Sequence, residues 1–371
     1  MASPRNRKVN SKHRAAALLR RNLLRWYDRH RRQLPWRNSR DPYTIWISEV
    51  MLQQTRVQAV IPYYEKFLRL FPDVQTLAAA EEQTLLACWS GLGYYSRARN
   101  LRKAARRMVR EWDGQFPREY AEALGLPGVG DYTARAVLSI AYGIPLAVLD
   151  GNVARVFSRL FAMKEDFRNH RGKEKFLQRA DSLLSARRPG DFNQAMMELG
   201  ATVCLPAQPR CGSCPLRSHC LAYARDEVAK YPSPRRAAKP QVRRLVAALV
   251  QDAAGRCLVI RRPQAAPWMA GFWELPVWEP NEPDGSPLDP HRGPMDAIVL
   301  GKLLGQVRHS ITSNQLQINV YEGFLKRRAL PPGVRWVLPG RMDRLPVTTI
   351  TRKALRLRPE SATGRPNEVP V

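Results

Sequence analysis

Apolar positions recur at helical spacing over residues 15–27, 43–53, 57–71, 83–89, 97–112, 133–142 and 153–163, and Pro and Gly punctuate the gaps between them. This rhythm predicts a helical region from about Ser11 to Tyr223. It stops at Tyr231-Pro232-Ser233-Pro234-Arg235-Arg236, a proline-rich basic stretch running to Pro240 with little to pack, and a domain boundary is expected there. Beyond it the period changes. Leu245–Val250 and Cys257–Ile260 are short β-type runs around a turn at Asp252–Gly255, and Ile318–Phe324 and Val334–Leu338 are further strand candidates. The expected fold class is mostly α, with a helical domain over 1–228, a linker over 229–241 and a smaller α+β domain over 242–356. The Pro-, Arg- and Glu-rich tail, 357–371, reads as disordered.

Charge sharpens this picture. Lys and Arg total 61 against 32 Asp and Glu, a net +29 over 371 residues. A surplus of that size makes a long-range positive field whose commonest partner is nucleic acid, and an arginine-rich proteome is the plainer explanation. No run of about 18 apolar residues is present, so no membrane span is expected. The N-terminus has no apolar h-region of a secretory signal. Its Ser and Arg content suits either a transit peptide or a basic DNA-binding arm, so the expected location is the cytoplasm or nucleoid, with organelle targeting as the alternative.

Four of the six cysteines lie in one loop, as Cys204-x6-Cys211-x2-Cys214-x5-Cys220, whereas Cys88 and Cys257 sit alone in apolar surroundings. Without an export signal, such clustering favours a metal site in a reducing compartment over disulfides. The spacing by itself suits zinc or a [4Fe–4S] cluster. A second motif, Leu126-Pro127-Gly128-Val129-Gly130-Asp131-Tyr132-Thr133-Ala134, reads as a helical hairpin with a tight glycine turn. Gly128 and Gly130 would leave backbone N–H groups facing outward at a helix N-terminus, which suits a phosphate. Asp150, in Leu149-Asp150-Gly151-Asn152, precedes another helix and would serve as its N-cap. Glu49 interrupts the apolar face of Trp46-Ile47-Ser48-Glu49-Val50-Met51-Leu52-Gln53-Gln54-Thr55. A carboxyl in a partly apolar pocket has its pKa raised and becomes a general acid; a solvated glutamate is the bland reading.

The cysteine loop, following a helix that ends at Leu199-Gly200, and the glycine hairpin resemble those of the endonuclease III, or helix-hairpin-helix, superfamily of DNA glycosylases. Leu34-Pro35-Trp36-Arg37, the Glu49 segment and Gly91-Leu92-Gly93-Tyr94-Tyr95-Ser96 together resemble adenine DNA glycosylases of the MutY type, over roughly residues 14–224. The resemblance implies one [4Fe–4S] cluster on Cys204, Cys211, Cys214 and Cys220, with Arg210 and Arg217 on a basic loop, and no catalytic metal. It implies Glu49 as the acid that protonates adenine, Asp150 as the carboxylate that stabilises the sugar cation, and Tyr132 and Asn152 as their hydrogen-bonding partners. Trp36, Arg37, Leu52 and Gln194 would line the base pocket, Gln53 would bind substrate or DNA, and Gln54 and Tyr94 would wedge the duplex. Gly128 and Gly130 would grip a phosphate.

Gly271-Phe272-Trp273-Glu274-Leu275-Pro276 resembles the Nudix-like domain of these enzymes, which inspects the base opposite adenine for 8-oxoguanine. No Nudix catalytic box for Mg²⁺ follows it, so Glu274 is expected to be structural. The reader loop departs from the family pattern: Arg308-His309-Ser310 is followed by Ile311-Thr312-Ser313-Asn314-Gln315, with Thr312 and Ser313 as the candidate lesion contacts and Asn314 or Gln315 as substitutes. The partner implied is duplex DNA carrying adenine opposite 8-oxoguanine or guanine, bound by a monomer. An endonuclease III-like glycosylase/lyase and a catalytically silent DNA-binding relative are the alternatives. Residues 1–32 hold eleven Lys or Arg and one acid. Duplex affinity is therefore expected to fall linearly with salt on a log–log plot, because each phosphate contact releases counterions. A flat response in a binding titration would show that the surplus charge faces away from DNA.

Overall fold

The computed structural model describes residues 4–233, 241–266, 268–279, 297–311, 314–326 and 330–358, with side chains from residue 14 onward. The chain divides into two compact units. The first comprises Met1–Ala79 and Asn100–Arg236, and the second Ala80–Arg99 and Ala237–Val371. Among the described residues no helix is long and apolar enough to cross a membrane.

The first unit is helical. Its helices include Pro4–His30, Pro42–Leu52, Val57–Leu70, Val74–Ala79, Tyr120–Gly125, Asp131–Ala141, Gly151–Leu160, His170–Leu183 and Pro189–Thr202. Local chemistry starts them where they start. Asp41 accepts the N–H groups of Tyr43 and Thr44 while Pro42 occupies the first helical turn, where its missing N–H costs nothing. Asn169 caps His170–Leu183 in the same way through the N–H of Gly172. A continuous core joins the long N-terminal helix (Leu19, Leu23, Tyr27) to Phe157, Phe176, Phe192 and Leu199, and Cys204, Cys214 and Cys220 pack against its edge. Small residues set the close approaches. A Cβ on Gly200 would lie 2.6 Å from that of Asn152, so only glycine lets the helix Pro189–Thr202 approach the N-terminus of Gly151–Leu160 this closely.

The second unit is built on two sheets. Its strands are β1 (Gln241–Val250), β2 (Cys257–Arg261), β3 (Trp273–Glu274), β4 (Val277–Trp278), β5 (Ile298–Ile311), β6 (Asn314–Leu325) and β7 (Val334–Val337). One sheet has the order β4-β1-β6-β5 and the other β3-β2-β7. β1 runs parallel to β6, from Gln241 opposite Asn314 to Val250 opposite Gly323. β5 and β6 form an antiparallel hairpin. Ala247, Leu249, Leu316, Ile318 and Val320 turn inward against Ile350 of the helix Thr349–Ala354, which Thr348 caps. The helix Glu82–Trp89 and the turn after it belong to this unit, where the Ser90 hydroxyl donates to the Val347 carbonyl (3.0 Å).

Several expectations need correction. The reader loop expected over 311–315 is largely strand: Ile311 ends β5 and Asn314 and Gln315 begin β6, paired with Ile311 and Ser310. Thr312 and Ser313 lie outside the described residues. β5 was not anticipated, because Gly301, Gly305 and two register shifts between Leu300 and Gly305 erase its alternation. The linker is not uniformly unpacked, since Tyr231 is buried and its carbonyl accepts from Arg159 (3.0 Å). The second unit also continues through Leu357, which packs onto its sheet core; the tail beyond Arg358 lies outside the described residues.

Phe157, on the helix Gly151–Leu160, is fully buried in the core of the first unit. Phe157→Ala is expected to lower unfolding free energy by about 3–5 kcal/mol in a denaturant titration, through lost burial and the cavity left behind. A loss under about 1 kcal/mol would show that this core does not hold the unit together.

Candidate active site

A cavity of about 530 Å³ opens in the first unit, lined by Trp36, Arg37, Glu49, Leu52, Gln53, Gln54, Tyr132, Asp150, Asn152 and Gln194, among others. Five pieces of chain converge on it, and each brings its side chains for a local reason.

Pro42–Leu52 is a buried helix, with Ile45, Trp46, Ile47, Val50 and Met51 almost wholly inaccessible. Glu49 is 6% exposed among them. Such burial penalises a negative charge, and it pushes the Glu49 carboxyl up to about 7. The Tyr132 hydroxyl, which donates to Glu49 Oε2 at 2.7 Å, pulls the other way, while the charge of Asp150 raises the value further and that of Arg37 lowers it. At neutral pH the group is therefore poised between acid and carboxylate. The helix ends at Gln53, whose amide donates to Thr133 Oγ1 (3.2 Å), and Gln54 takes a left-handed backbone (φ 57°) that brings it to the rim of the cavity. Such backbone in a non-glycine residue costs roughly 1–3 kcal/mol and persists only where its surroundings enforce it.

The glycine hairpin supplies Tyr132. Gly128 has φ 77°, and a Cβ there would meet the Cβ of Asn100 at 2.6 Å, so the turn admits only glycine. Gly130 is the N-cap of Asp131–Ala141, with open space around its α-carbon. Neither glycine lines the cavity. One turn thus presents a helix N-terminus at its tip and, two residues later, sends the Tyr132 ring inward.

Asp150 caps the helix Gly151–Leu160, accepting the Val153 N–H on Oδ1 (2.7 Å) and the Asn152 amide on Oδ2 (3.0 Å). A helix N-terminus favours an ionised carboxylate. Both donors do favour the charge, but burial outweighs them and the Asp150 carboxyl lies above its ordinary value. Arg155 holds the other end of Asn152 (Nη2 to Oδ1, 2.9 Å) and donates to the carbonyls of Gly200 and Cys204 (2.9 and 2.8 Å). Hydrogen bonds therefore run without a break from Asp150 to the first cysteine of the loop.

Glu198 is the residue that sequence reasoning missed. Fully buried in the cavity wall, it accepts Arg32 through Nε and Nη2 (2.7 and 2.8 Å) and Arg37 through Nη2 (2.5 Å). Its signal was the same as that of Glu49, a lone acid among apolar helix residues (Met196-Met197-Glu198-Leu199). The ion pairs fix Arg37 at the wall, where Trp36 packs edge-on against Tyr64 (5.3 Å between ring centroids).

Cys204, Cys211, Cys214 and Cys220 are unbridged and partly buried. Burial pushes the Cys214 thiol up to about 12, against a backbone hydrogen bond, and each of the other three adds to the rise, so all four thiols share one neighbourhood. Among the described residues no group of three His, Cys, Asp or Glu side chains is drawn together as for a metal ion. The surroundings nevertheless suit an anionic thiolate centre. Arg159 is 3% exposed, has no carboxylate partner among the described residues, and donates to Cys204 Sγ (3.3 Å) and the carbonyls of Leu205 and Pro206. Tyr94 belongs to the second unit.

This combination of glycine hairpin, capped aspartate and cysteine loop defines a helix-hairpin-helix DNA glycosylase: residues 47–182 match the HhH-GPD superfamily of base excision DNA repair proteins, and residues 246–357 match the Nudix domain. A thermostable thymine-DNA glycosylase of known structure covers 58% of the chain (99% of its own) at TM-score 0.54 and 28% identity. Human adenine DNA glycosylase is 37% identical over 401 residues, spanning 91% of this chain and 73% of its own, and the mouse enzyme is 36% identical over 92% and 78%. The chain belongs to the adenine DNA glycosylase family and is a DNA N-glycosylase of base excision repair.

Burial would raise the Glu198 carboxyl, but its hydrogen bonds with Arg32 and Arg37 hold it down to about 2. A value lowered on folding adds stability that is complete above the ordinary 4.5 and lost as pH falls through about 2, here roughly 3 kcal/mol. Glu198→Gln is expected to cost about 3–5 kcal/mol at pH 7, because two guanidiniums lose their partner, and the gap from the parent should close as pH falls from 4.5 towards 2. Equal melting temperatures at pH 7 would contradict this.

Proposed function

We propose that this protein hydrolyses the N-glycosidic bond of adenine mispaired with 8-oxoguanine or guanine in duplex DNA, and does not cut the backbone. The observation that carries this reading is the pairing of a buried, neutral-poised Glu49 with a helix-capping Asp150 across one cavity. Adenine is a poor leaving group as an anion. Glu49 gives its proton to a ring nitrogen, the bond from the sugar carbon to the base breaks, and adenine departs neutral. The sugar is left with positive charge, which the Asp150 carboxylate stabilises. Water adds to that carbon and surrenders a proton, on the two-carboxylate logic of glycoside hydrolysis. Asp150 accepts two hydrogen bonds that favour its charged form, and that charge in turn raises the Glu49 carboxyl. Tyr132 and Asn152 hold the two carboxyls in place, and Trp36, Arg37, Leu52, Gln53 and Gln194 form the walls for a base rotated out of the stack, which the chemistry requires.

The hairpin supports the absence of strand cleavage. A lyase attacks the sugar with an amine, and Pro127–Gly143 contains no lysine. Tyr132 stands at the corresponding position, its hydroxyl engaged by Glu49. Cys204, Cys211, Cys214 and Cys220 would hold one [4Fe–4S] cluster, whose contribution is structural: it braces the loop carrying Arg210 and Arg217. Gly128 and Gly130 take a phosphate, Gln54 and Tyr94 wedge the duplex, and Thr312 and Ser313 meet the base opposite adenine. The protein acts on the duplex as a monomer.

The direct test is single-turnover incubation with duplexes carrying adenine opposite 8-oxoguanine or guanine, with and without alkali. Strand breaks are expected only after alkali. Glu49→Gln should slow base release by about 10²–10⁴-fold while duplex binding survives. Breaks without alkali, or a variant within about tenfold of the parent rate, would overturn the assignment.

A further inference from the structure

The turn after the helix Glu82–Trp89 is strained and tightly held. Gly91 (φ 113°), Gly93 (φ 70°) and Tyr94 (φ 47°) all take left-handed backbone. Glycine adopts it freely, whereas tyrosine does so only when its neighbours over-determine the conformation. Those neighbours are present on the inner side. The indole of Trp89 donates to the Gly93 carbonyl (3.1 Å), and buried Arg97 donates to the carbonyls of Leu92 and Gly93 (3.1 and 3.2 Å). The Arg97 guanidinium lies 5.3 Å from the Trp89 ring and 5.5 Å from that of Tyr94. The result is a large aromatic ring left 43% exposed on a rigid base.

The outer ties of this turn run to the Nudix-like part of the same unit. Tyr95 packs on Phe272 with 4.1 Å between ring centroids, and Phe272 is fully buried. Arg99 donates to the Ala270 carbonyl, and Ser90 to the Val347 carbonyl (3.0 Å). Phe272 itself is fixed in the turn following β2, its N–H donating to Met269 and its carbonyl accepting from Arg262 (3.1 and 2.8 Å). The residue next to the exposed ring is thus clamped by the domain expected to inspect the base opposite adenine.

We infer that Phe272 is a positioning residue that aims the Tyr94 ring at the bases around the unpaired lesion, so that the Nudix-like domain controls the duplex wedge as well as its own contacts to the lesion. Aromatic rings stack on any base, and the benefit depends on presenting the ring at the right height and tilt. A ring one residue from the Tyr95–Phe272 contact follows any movement of that contact. This inference rests on the lesion-directed function proposed above.

A double-mutant cycle in the full chain tests it. Affinity is measured for a duplex with 8-oxoguanine opposite a non-hydrolysable 2′-fluoroadenosine, for the parent, Tyr94→Ala, Phe272→Leu and the double variant. Leucine keeps most of the buried volume and removes the ring contact. Phe272→Leu is expected to weaken binding by about threefold to tenfold, and to weaken it no further once Tyr94 is alanine. Equal losses on both backgrounds, or no loss from Phe272→Leu, would overturn the inference, since a purely structural role costs the same whatever residue 94 is. If Phe272→Leu does not fold, Ser90→Ala cuts the Val347 tie and must show the same dependence on Tyr94. A protein that releases no adenine from any duplex defeats the functional reading instead; adenine release with an additive cycle defeats this inference alone.

Discussion

Glu49 occupies a helix whose other inward residues exclude water, and a charge there is costly unless it is neutralised or paired. Burial favours the proton, raising the Glu49 carboxyl to about 7, and the rest of the site can be understood from that. Tyr132 gives the carboxyl one donor, enough to orient it but too little to offset burial. Arg37, the nearby cation able to pair with it, is instead committed to Glu198 through the tight ion pair in the cavity wall. Asp150 contributes negative charge that discourages ionisation further. The two acids of the cavity differ in surroundings, Glu49 with one donor and Asp150 with two, which suits a reaction needing one proton and one negative charge.

The same geometry explains why distant parts of the first unit matter to a few atoms. Gly128 permits the turn that delivers Tyr132, and Gly200 permits the helix approach that lets Asn152 sit between Asp150 and Arg155. Arg155 then reaches the cysteine loop, and Arg159 meets its first thiol. Loss of the loop's integrity would be felt at Asp150 through hydrogen bonds alone.

Much of this was legible in the sequence because the informative residues are conspicuous departures from a pattern: an acid in an apolar helix, an aspartate before a helix start, two glycines flanking one residue, four clustered cysteines. All ten residues expected in or beside the base pocket line one cavity. What escaped has physical causes. Glu198 carries the same kind of signal as Glu49, but only its bidentate arginine partner from far along the chain gives it meaning. β5 is a strand whose bulges and glycines suppress the period-two pattern, so the Ile311–Gln315 segment passed for a loop when most of it is hairpin. The grouping of Ala80–Arg99 with the C-terminal unit depends on ties such as Ser90 to Val347, which no local pattern announces.

The central claim is that burial keeps Glu49 protonated near neutral pH, and the pH dependence of single-turnover base release tests it most directly. A raised carboxyl supplies its proton below about 7, so the rate should hold on the acid side and fall about tenfold per pH unit well above 7. Tyr132→Phe removes the donor that favours the charged form, so the midpoint of that fall should move to higher pH. A rate that is level from pH 5 to 9, or a midpoint that moves down in Tyr132→Phe, would contradict the account.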